Sequence, residues 1–234
     1  MALPIINDTP KYTLTIPSTK KAITYRPFLV KEQKILLMAL ESQDQKQVLQ
    51  AITDTIVSCV MEPIDINRLA TFDVEYIFTQ IRSKSVGETS TVNVRCEKCE
   101  DFNEVTIPLD NIFIDIPKDK NEIVITDQYT VIMRYPSYGK ALENYDSNEK
   151  SITGSLYNSV LLCLDKLKAK DELLPFDDET PEEVQKFLES LNNEQFEKLL
   201  VFVNELPILS HDVSFECKCG HTTHHTLEGL ADFF

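Results

Sequence analysis

Two short stretches near the middle and the end of the chain decide the fold: Cys96-Glu97-Lys98-Cys99 and Cys217-Lys218-Cys219-Gly220-His221. Structural zinc takes four thiolate or imidazole donors at tetrahedral angles, and two short turns with two donors each supply them with little backbone strain. The spacing therefore predicts one structural zinc ion bound by Cys96, Cys99, Cys217 and Cys219. Gly220 favours the tight turn that the second pair needs.

Histidines near the second pair leave two alternatives open. His221 is the alternative fourth ligand, in a site of three cysteines and one histidine. His224 or His225 would instead belong to an open catalytic metal site if one cysteine pair were free. Four sulfurs close the coordination shell and leave no position for water, so we predict a structural site with no catalytic residue.

The residues on both sides of the cysteine pairs have strand-like patterns. Thr89–Val94 leads into the first pair and Asn103–Ile107 follows it, and a further β segment at Asp212–Glu216 precedes the second pair. This pattern predicts two hairpins whose turns carry the cysteines, in a zinc-ribbon-like arrangement. Because 117 residues separate Cys99 from Cys217, the metal is expected to join distant parts of the chain.

The N-terminal region is predicted to combine short strands with three helices. Alternating residues between Lys11 and Tyr25 indicate strands, and Ile35, Leu36, Ala39 and Leu40 recur at helical spacing. A second helix carries Val48, Ile52, Ile56 and Val60 and ends before Pro63, and a third is expected from about Asp65 to Ser83. A second hairpin should pair 122–126 with 129–135.

A separate acidic block follows, with 15 acidic and 6 basic residues between Ala141 and Leu206. Its apolar stripe of Ile152, Leu156, Val160 and Leu164 predicts a helix, and Thr180-Pro181-Glu182-Glu183 is typical of a capped helix start. We therefore predict an α+β fold: an N-terminal α+β region (1–136), an inserted helical block (137–207) and a C-terminal strand segment (208–234) that completes the zinc ribbon.

Composition excludes several classes of function. The net charge of −15 over 234 residues disfavours binding to nucleic-acid phosphate or anionic lipid. No nucleotide-binding glycine motif occurs, and no apolar run is long enough to span a membrane or, at residues 1–4, to begin an export signal. Six cysteines without an export signal indicate a reducing compartment. Cys59 and Cys163 lie on apolar helical stripes and are predicted to be core residues.

Several motifs together resemble the baseplate hub and hub assembly proteins of T-even-type contractile-tailed bacteriophages. The similarity covers roughly the first 110 and the last 25 residues. The motifs that carry it are Tyr25-Arg26-Pro27-Phe28-Leu29-Val30-Lys31-Glu32-Gln33-Lys34, Phe72-Asp73-Val74-Glu75-Tyr76-Ile77-Phe78, Ile81-Arg82-Ser83-Lys84-Ser85-Val86-Gly87-Glu88, the second cysteine pair, and Gly229-Leu230-Ala231-Asp232-Phe233-Phe234.

The resemblance implies a non-enzymatic late viral protein that binds other phage tail and baseplate proteins. It would be located in the virion tail baseplate, or in the host cytoplasm during assembly. Two alternatives remain: a zinc-ribbon factor associated with nucleic acid, which needs a basic surface beside the metal, and a metal-dependent hydrolase using His224 or His225. Arg82–Ser85 is either a helix end or a partner contact, and Phe233-Phe234 is either a partner anchor or part of the protein's own core.

Overall fold

The structure, a computed structural model, describes residues 8–110, 112, 114, 116–117, 121–145, 152–170 and 172–233. Its internal contacts group into two compact units, one formed by Met1–Asp115 with Ile208–Phe234 and the other by Ile116–Pro207. The predicted domain boundaries after 136 and 207 stay a prediction, since compact contact units are not a test of independent folding. The predictions made for residues 1–4 and Phe234 lie outside the described residues.

The first unit begins with a small hairpin and three helices. The strands β1 and β2 are antiparallel, with Tyr12 opposite Tyr25. The bounds of these elements are β1 Tyr12–Thr15, β2 Ala22–Tyr25, α1 Val30–Glu41, α2 Gln45–Cys59 and α3 Thr71–Val86. The strands and the first two helices predicted here are confirmed.

Side-chain caps fix two of the helix starts. The Asp44 carboxylate accepts the backbone N–H of Lys46 at 2.9 Å and begins α2. The predicted start of the third helix at Asp65 is wrong, because Ile66–Arg68 forms a single 3-10 turn. Helix α3 begins only at Thr71, where the Asp73 carboxylate accepts the backbone N–H of Ala70 at 3.2 Å.

Two further hairpins complete the first unit. Their innermost pairs are Arg95 with Phe102 and Glu216 with Thr222, so each turn begins directly beyond a paired residue. The strands are β3 Thr89–Arg95, β4 Phe102–Pro108, β9 Ser210–Glu216 and β10 Thr222–Glu228. One apolar cluster unites both hairpins, and its buried members are Val92, Val94, Ile107, Leu109, Ile112, Leu209, Val213, Leu227 and Phe233.

Phe233 belongs to the protein's own core. Its side chain is fully buried in this apolar cluster. The Ser90 hydroxyl, itself buried, donates a hydrogen bond to the Phe233 carbonyl at 2.7 Å. Of the two roles considered for the terminal aromatic pair, the structure therefore gives Phe233 the role of a core residue.

The second unit is a four-stranded antiparallel sheet with helices. The strands follow one another in the order β5-β6-β7-β8, and the apolar core contains Val131, Met133, Val160, Leu164 and Leu199. The elements are β5 Glu122–Thr126, β6 Tyr129–Met133, α4 Tyr138–Tyr145, α5 Ile152–Cys163, β7 Leu164–Ala169, β8 Glu172–Pro175, α6 Pro181–Glu189 and α7 Asn193–Asn204.

The segment predicted as an inserted helical block, 137–207, contains two strands, β7 and β8, besides its helices. Leu164, expected as the end of a helical stripe, begins β7, which pairs with β6 through Met133. The backbone of β7 thus pairs with β6 and extends the predicted hairpin β5–β6 into a larger sheet. The helix start at Thr180 is confirmed, because its backbone N–H donates to the Glu183 carboxylate at 3.1 Å and its hydroxyl accepts the Glu183 N–H.

Both isolated cysteines pack in the cores as predicted. Cys59 and Cys163 are essentially inaccessible to solvent. Burial raises the pKa of the Cys59 thiol to about 11 and that of Cys163 to about 12. Such thiols remain protonated at neutral pH and behave as small apolar groups.

None of the helices within the described ranges has the length and apolar character needed to cross a bilayer.

A buried ion pair explains the motif at 25–34. The Arg26 guanidinium joins the end of β2 to two helices, because it contacts the Glu32 carboxylate at 2.9 Å and donates to the Ser58 carbonyl at 2.9 Å. Glu32 also accepts the backbone N–H of Leu29 at 2.8 Å and so caps α1. Lys31 approaches the same carboxylate at 3.4 Å from solvent.

Hydrogen bonds within the chain also explain the segment Arg82–Ser85 at the end of α3. The Ser85 hydroxyl accepts the backbone N–H of Phe28 at 2.9 Å. Lys84 pairs with Glu88 just beyond the helix. These contacts give the segment a role in closing the helix end.

A second contact links α3 to the C-terminal segment. Burial raises the pKa of the Glu75 carboxyl to about 7, against a smaller opposing effect of the Leu230 backbone N–H. Leu230 begins the 3-10 turn Leu230–Asp232. The two motifs at 72–78 and 229–234 therefore meet in the folded chain.

Replacing Arg26 by Met should lower the free energy of unfolding by about 3 kcal/mol, because the buried Glu32 carboxylate loses its guanidinium partner. Urea unfolding monitored by circular dichroism measures this loss. Lys31→Met is the matched control, since Lys31 contacts the same carboxylate but is 71% exposed, and it should change stability by less than about 0.5 kcal/mol. Equal losses in the two variants would contradict the role given to Arg26.

Replacing Glu75 by Gln should change how stability depends on pH. The folded pKa of about 7 lies above the ordinary value of 4.5, so the stability contributed by the protonated carboxyl is lost as the pH rises through 7. Gln cannot ionise, so the free energy of unfolding of the variant should exceed that of the wild type by on the order of 2 kcal/mol at pH 8.

Urea unfolding at pH 5 and pH 8 measures this difference. At pH 5 the difference should fall below about 1 kcal/mol, because the carboxyl is then protonated in the folded wild type, and this provides the internal control. A constant difference between them at both pH values would show that ionisation of Glu75 is not responsible.

Candidate metal centre

The turn between β3 and β4 presents Cys96 and Cys99. The Cys96 N–H donates to the Asp101 carbonyl at 2.9 Å, and the Glu100 N–H donates to the Cys96 carbonyl at 3.0 Å. Glu100 takes a positive φ of 62° to close the turn. This backbone arrangement brings the two cysteines of the C-x2-C pair to the same side of the hairpin end.

The turn between β9 and β10 presents Cys217 and Cys219. The Cys217 N–H donates to the His221 carbonyl at 2.9 Å, and the Gly220 N–H donates to the Cys217 carbonyl at 2.8 Å. Gly220 has a φ of 75°, a region in which side chains with a Cβ are strained. The glycine after the second pair therefore avoids the strain that Glu100 bears in the first turn.

All four predicted sulfur atoms come together. The four Sγ atoms lie within 4.8 Å of one another. Cys96 and Cys219 are 3.8 Å apart, and Cys99 and Cys217 are 3.5 Å apart. These separations exclude disulfide bonds, which need about 2.05 Å. Zinc–sulfur bonds of about 2.3 Å at tetrahedral angles require sulfur atoms about 3.8 Å apart, so the donor set fits this metal.

Backbone amides favour the thiolate form of one cysteine. The N–H groups of Cys99 and Lys98 point at Cys96 Sγ, and the Thr223 hydroxyl donates to it at 3.6 Å. These donors lower the pKa of Cys96 to about 6. Amide and hydroxyl donors of this kind hold and orient sulfur ligands in metal sites.

The pKa of Cys99 shifts in the opposite direction, in part because four thiols lie close together. The Asp101 N–H lowers its pKa, but burial and the neighbouring sulfurs of Cys217, Cys219 and Cys96 raise it to about 12. Four sulfurs this close cannot all carry negative charge, since like charges within a few ångströms repel. A bound cation would remove this repulsion and allow all four to ionise.

The histidines lie outside the group of four close donors. His221 Nε2 is 3.8 Å from the Glu97 carboxylate. His224 and His225 are exposed on β10, opposite Ser214 and Val213. Among the described residues, the four cysteines form the only group of three or more potential ligand atoms that lie close enough together to bind a metal.

Thr223 is a residue of the site that the sequence did not reveal. It is fully buried and donates its hydroxyl to Cys96. On β10 the buried positions are Thr223 and Leu227, two residues of the same face, whereas the residues between them are exposed. The available signal was the even spacing of Thr223 from the apolar Leu227, which puts both residues on one face of a strand.

Charges of both signs surround the two turns. Arg95 pairs with Glu100 at 3.4 Å across the first turn. The exposed charged residues of the two turns are three basic and four acidic: Arg95, Lys98 and Lys218, and Glu97, Glu100, Asp101 and Glu216. The neighbourhood of the sulfurs is therefore mixed in charge.

Comparison with known proteins identifies the family of the chain. The model of the family described as T4 bacteriophage base plate protein matches residues 9–234. No curated protein and no solved structure matches the chain. Since the match covers nearly the whole sequence, including both cysteine pairs, the chain belongs to the family of T4 bacteriophage base plate proteins.

Proposed function

We propose that this protein is a non-enzymatic component of the phage tail baseplate that acts in the hub, or in assembly of the hub, by binding other tail proteins. The observation that carries the proposal is the family match over residues 9–234. The hub role rests on the motifs at 25–34, 72–88 and 217–234, whose order and spacing resemble hub and hub assembly proteins.

We further propose that a structural zinc ion bound by Cys96, Cys99, Cys217 and Cys219 joins the two hairpins as a zinc ribbon. The mutual sulfur distances and the amide donors around Cys96 support it. A shell of four sulfurs leaves no position for a water nucleophile, which favours a structural metal over a catalytic one. His221 as a replacement ligand is less well supported, because its imidazole faces Glu97.

The expected effect of the metal is on the folding of the first unit. Zinc binding at such sites contributes folding free energy, on the order of 10 kcal/mol in small zinc peptides. This chain already has an apolar cluster shared by both hairpins, so its own dependence on the metal should be smaller. The metal would fix Asp212–Glu228 to the hairpin at Thr89–Pro108.

Two other functions have weaker support. A nucleic-acid factor needs a continuous basic surface beside the metal, whereas the charges at the two turns are mixed and the whole chain carries −15. A hydrolase needs three protein ligands and a bound water, whereas His224 and His225 lie on an exposed part of β10, outside the group of four sulfurs.

Zinc analysis of the purified protein tests the metal site. We expect one zinc per chain by elemental mass spectrometry, and its loss in Cys217→Ser because one of four ligands is removed. Cobalt substitution should give the absorption typical of tetrahedral sulfur ligation. Cys163→Ser is the matched control and should keep the metal, since Cys163 lies in the apolar core of the second unit.

Chelation tests whether the metal is structural. Removing zinc should expose residues 208–234 to proteolysis first, because this segment depends on the site for its attachment. Cleavage sites are read by mass spectrometry. An unchanged cleavage pattern after complete removal of the metal would count against a structural role.

Loss of the gene in the phage that encodes the protein tests the baseplate function. We expect infected cells to accumulate incomplete baseplates, visible by sedimentation and electron microscopy, and expression of the wild-type protein in trans to restore tails. Mass spectrometry of purified particles and of the lysate then separates a permanent component from a transient assembly factor. Normal yields of infectious particles without the protein would refute the proposal.

A further inference from the structure

Helix α1 presents most of its apolar side chains to solvent. Only Glu32 and Ala39 are buried, and Leu36 is half-buried. The helix predicted from the spacing of Ile35, Leu36, Ala39 and Leu40 is confirmed, but Ile35 and Leu40 do not belong to its buried face. Five apolar side chains are between 51% and 80% exposed: Val30, Ile35, Leu37, Met38 and Leu40.

The exposed side chains form a stripe along the helix. At 100° per residue, the face opposite Glu32 and Ala39 carries Val30, Lys34, Leu37 and Glu41, at spacings of four, three and four. Met38 and Leu40 flank Leu37 on either side of this stripe. Helices on the surface of monomeric proteins normally place only polar residues on such a face. Here Val30, Leu37, Met38 and Leu40 are exposed beside the charged Lys34 and Glu41, and large apolar side chains exposed together are typical of an interaction site.

The exposed charges of α1 are reversed with respect to its own dipole. Lys31 and Lys34 lie near the N-terminus and Glu41 lies in the last turn, which contains no basic residue. A helix dipole favours acidic groups at the N-terminus and basic groups at the C-terminus. The acidic residue of the first turn, Glu32, is buried and paired with Arg26. These exposed charges therefore weaken the isolated helix slightly.

Antiparallel pairing with an identical helix would make these charges favourable. A two-fold axis near the middle of α1 brings the end with Lys31 and Lys34 next to Glu41 of the second copy, and brings Leu37 over the stem of Lys34. The opposite ends of the two dipoles also face each other. Parallel pairing would place like charges together. The surface is thus complementary to itself, as a symmetric dimer interface requires.

We propose that α1 is the interface of a symmetric homodimer, in which the exposed face of α1 packs antiparallel against α1 of a second copy. A helix of 12 residues is about 18 Å long, so this contact lies at the small end of specific interfaces. A dissociation constant on the order of 10 μM is expected. The inference depends on α1 alone and does not require the baseplate function or the zinc site.

Sedimentation velocity on the full-length chain between about 1 and 100 μM tests the proposal. We expect a concentration-dependent species of twice the monomer mass. Leu37→Asp should raise the dissociation constant at least about 30-fold, because it places a charge at the centre of the apolar contact. Val124→Asp is the matched control, since Val124 is 60% exposed on β5 of the second unit, and it should leave the dimer unchanged.

A charge exchange separates dimerisation from helix stability. Lys34→Glu and Glu41→Lys should each weaken the dimer about 5- to 10-fold, although each change suits the dipole of its own helix and should not lower the melting temperature. The double variant should restore the wild-type dissociation constant, because the pairing is re-formed with reversed signs.

Two results would overturn the proposal. If the wild-type chain stays monomeric at about 100 μM, α1 does not form a homodimer with the expected affinity. A dimer that survives Leu37→Asp uses another surface. If the chain is monomeric and instead binds an amphipathic helix of a different tail protein in a manner abolished by Leu37→Asp, the surface belongs to that partner and the homodimer is wrong.

Discussion

The first unit is built on the packing of two hairpins that lie far apart in sequence and that bring four thiols together. The hairpins β3–β4 and β9–β10 share an apolar cluster that includes Phe233, and Ser90 binds the Phe233 carbonyl. At the ends of the hairpins, the positive φ angles of Glu100 and Gly220 close the turns that hold the sulfurs. Four thiolates this close would repel one another unless a cation balances their charge. Apolar packing and sulfur geometry thus position the same two elements.

Local patterns predicted those parts of the fold that local interactions determine. Thr180 and Glu183 cap α6 within four residues of chain, so their sequence alone identifies the helix start. The two cysteine pairs are also local signals, because the spacing of ligands within a turn follows from backbone geometry. The meeting of the two pairs is not a local property, and it follows from the preference of one metal for four donors.

Contacts between distant residues were not predictable in the same way. Leu164 satisfies a helical stripe and a strand equally well, and pairing with Met133 of β6 decides for the strand. Glu75 meets the Leu230 amide only after α3 and the C-terminal turn have come together. Apolar spacing predicts α1 as a helix but does not reveal its inner face, which Ala39 and Glu32, paired with Arg26, form while Leu37 stays exposed.

The long separation between the two cysteine pairs has a consequence during translation. A ribosome adding roughly 5–20 residues per second needs about 6–23 s to make the 117 residues between Cys99 and Cys217. Throughout that interval the first two thiols have no partners, while the segment Ile116–Pro207 is being made. The hairpins β3–β4 and β9–β10 can meet only after this segment has emerged, so their joining is a late event in the synthesis of the chain.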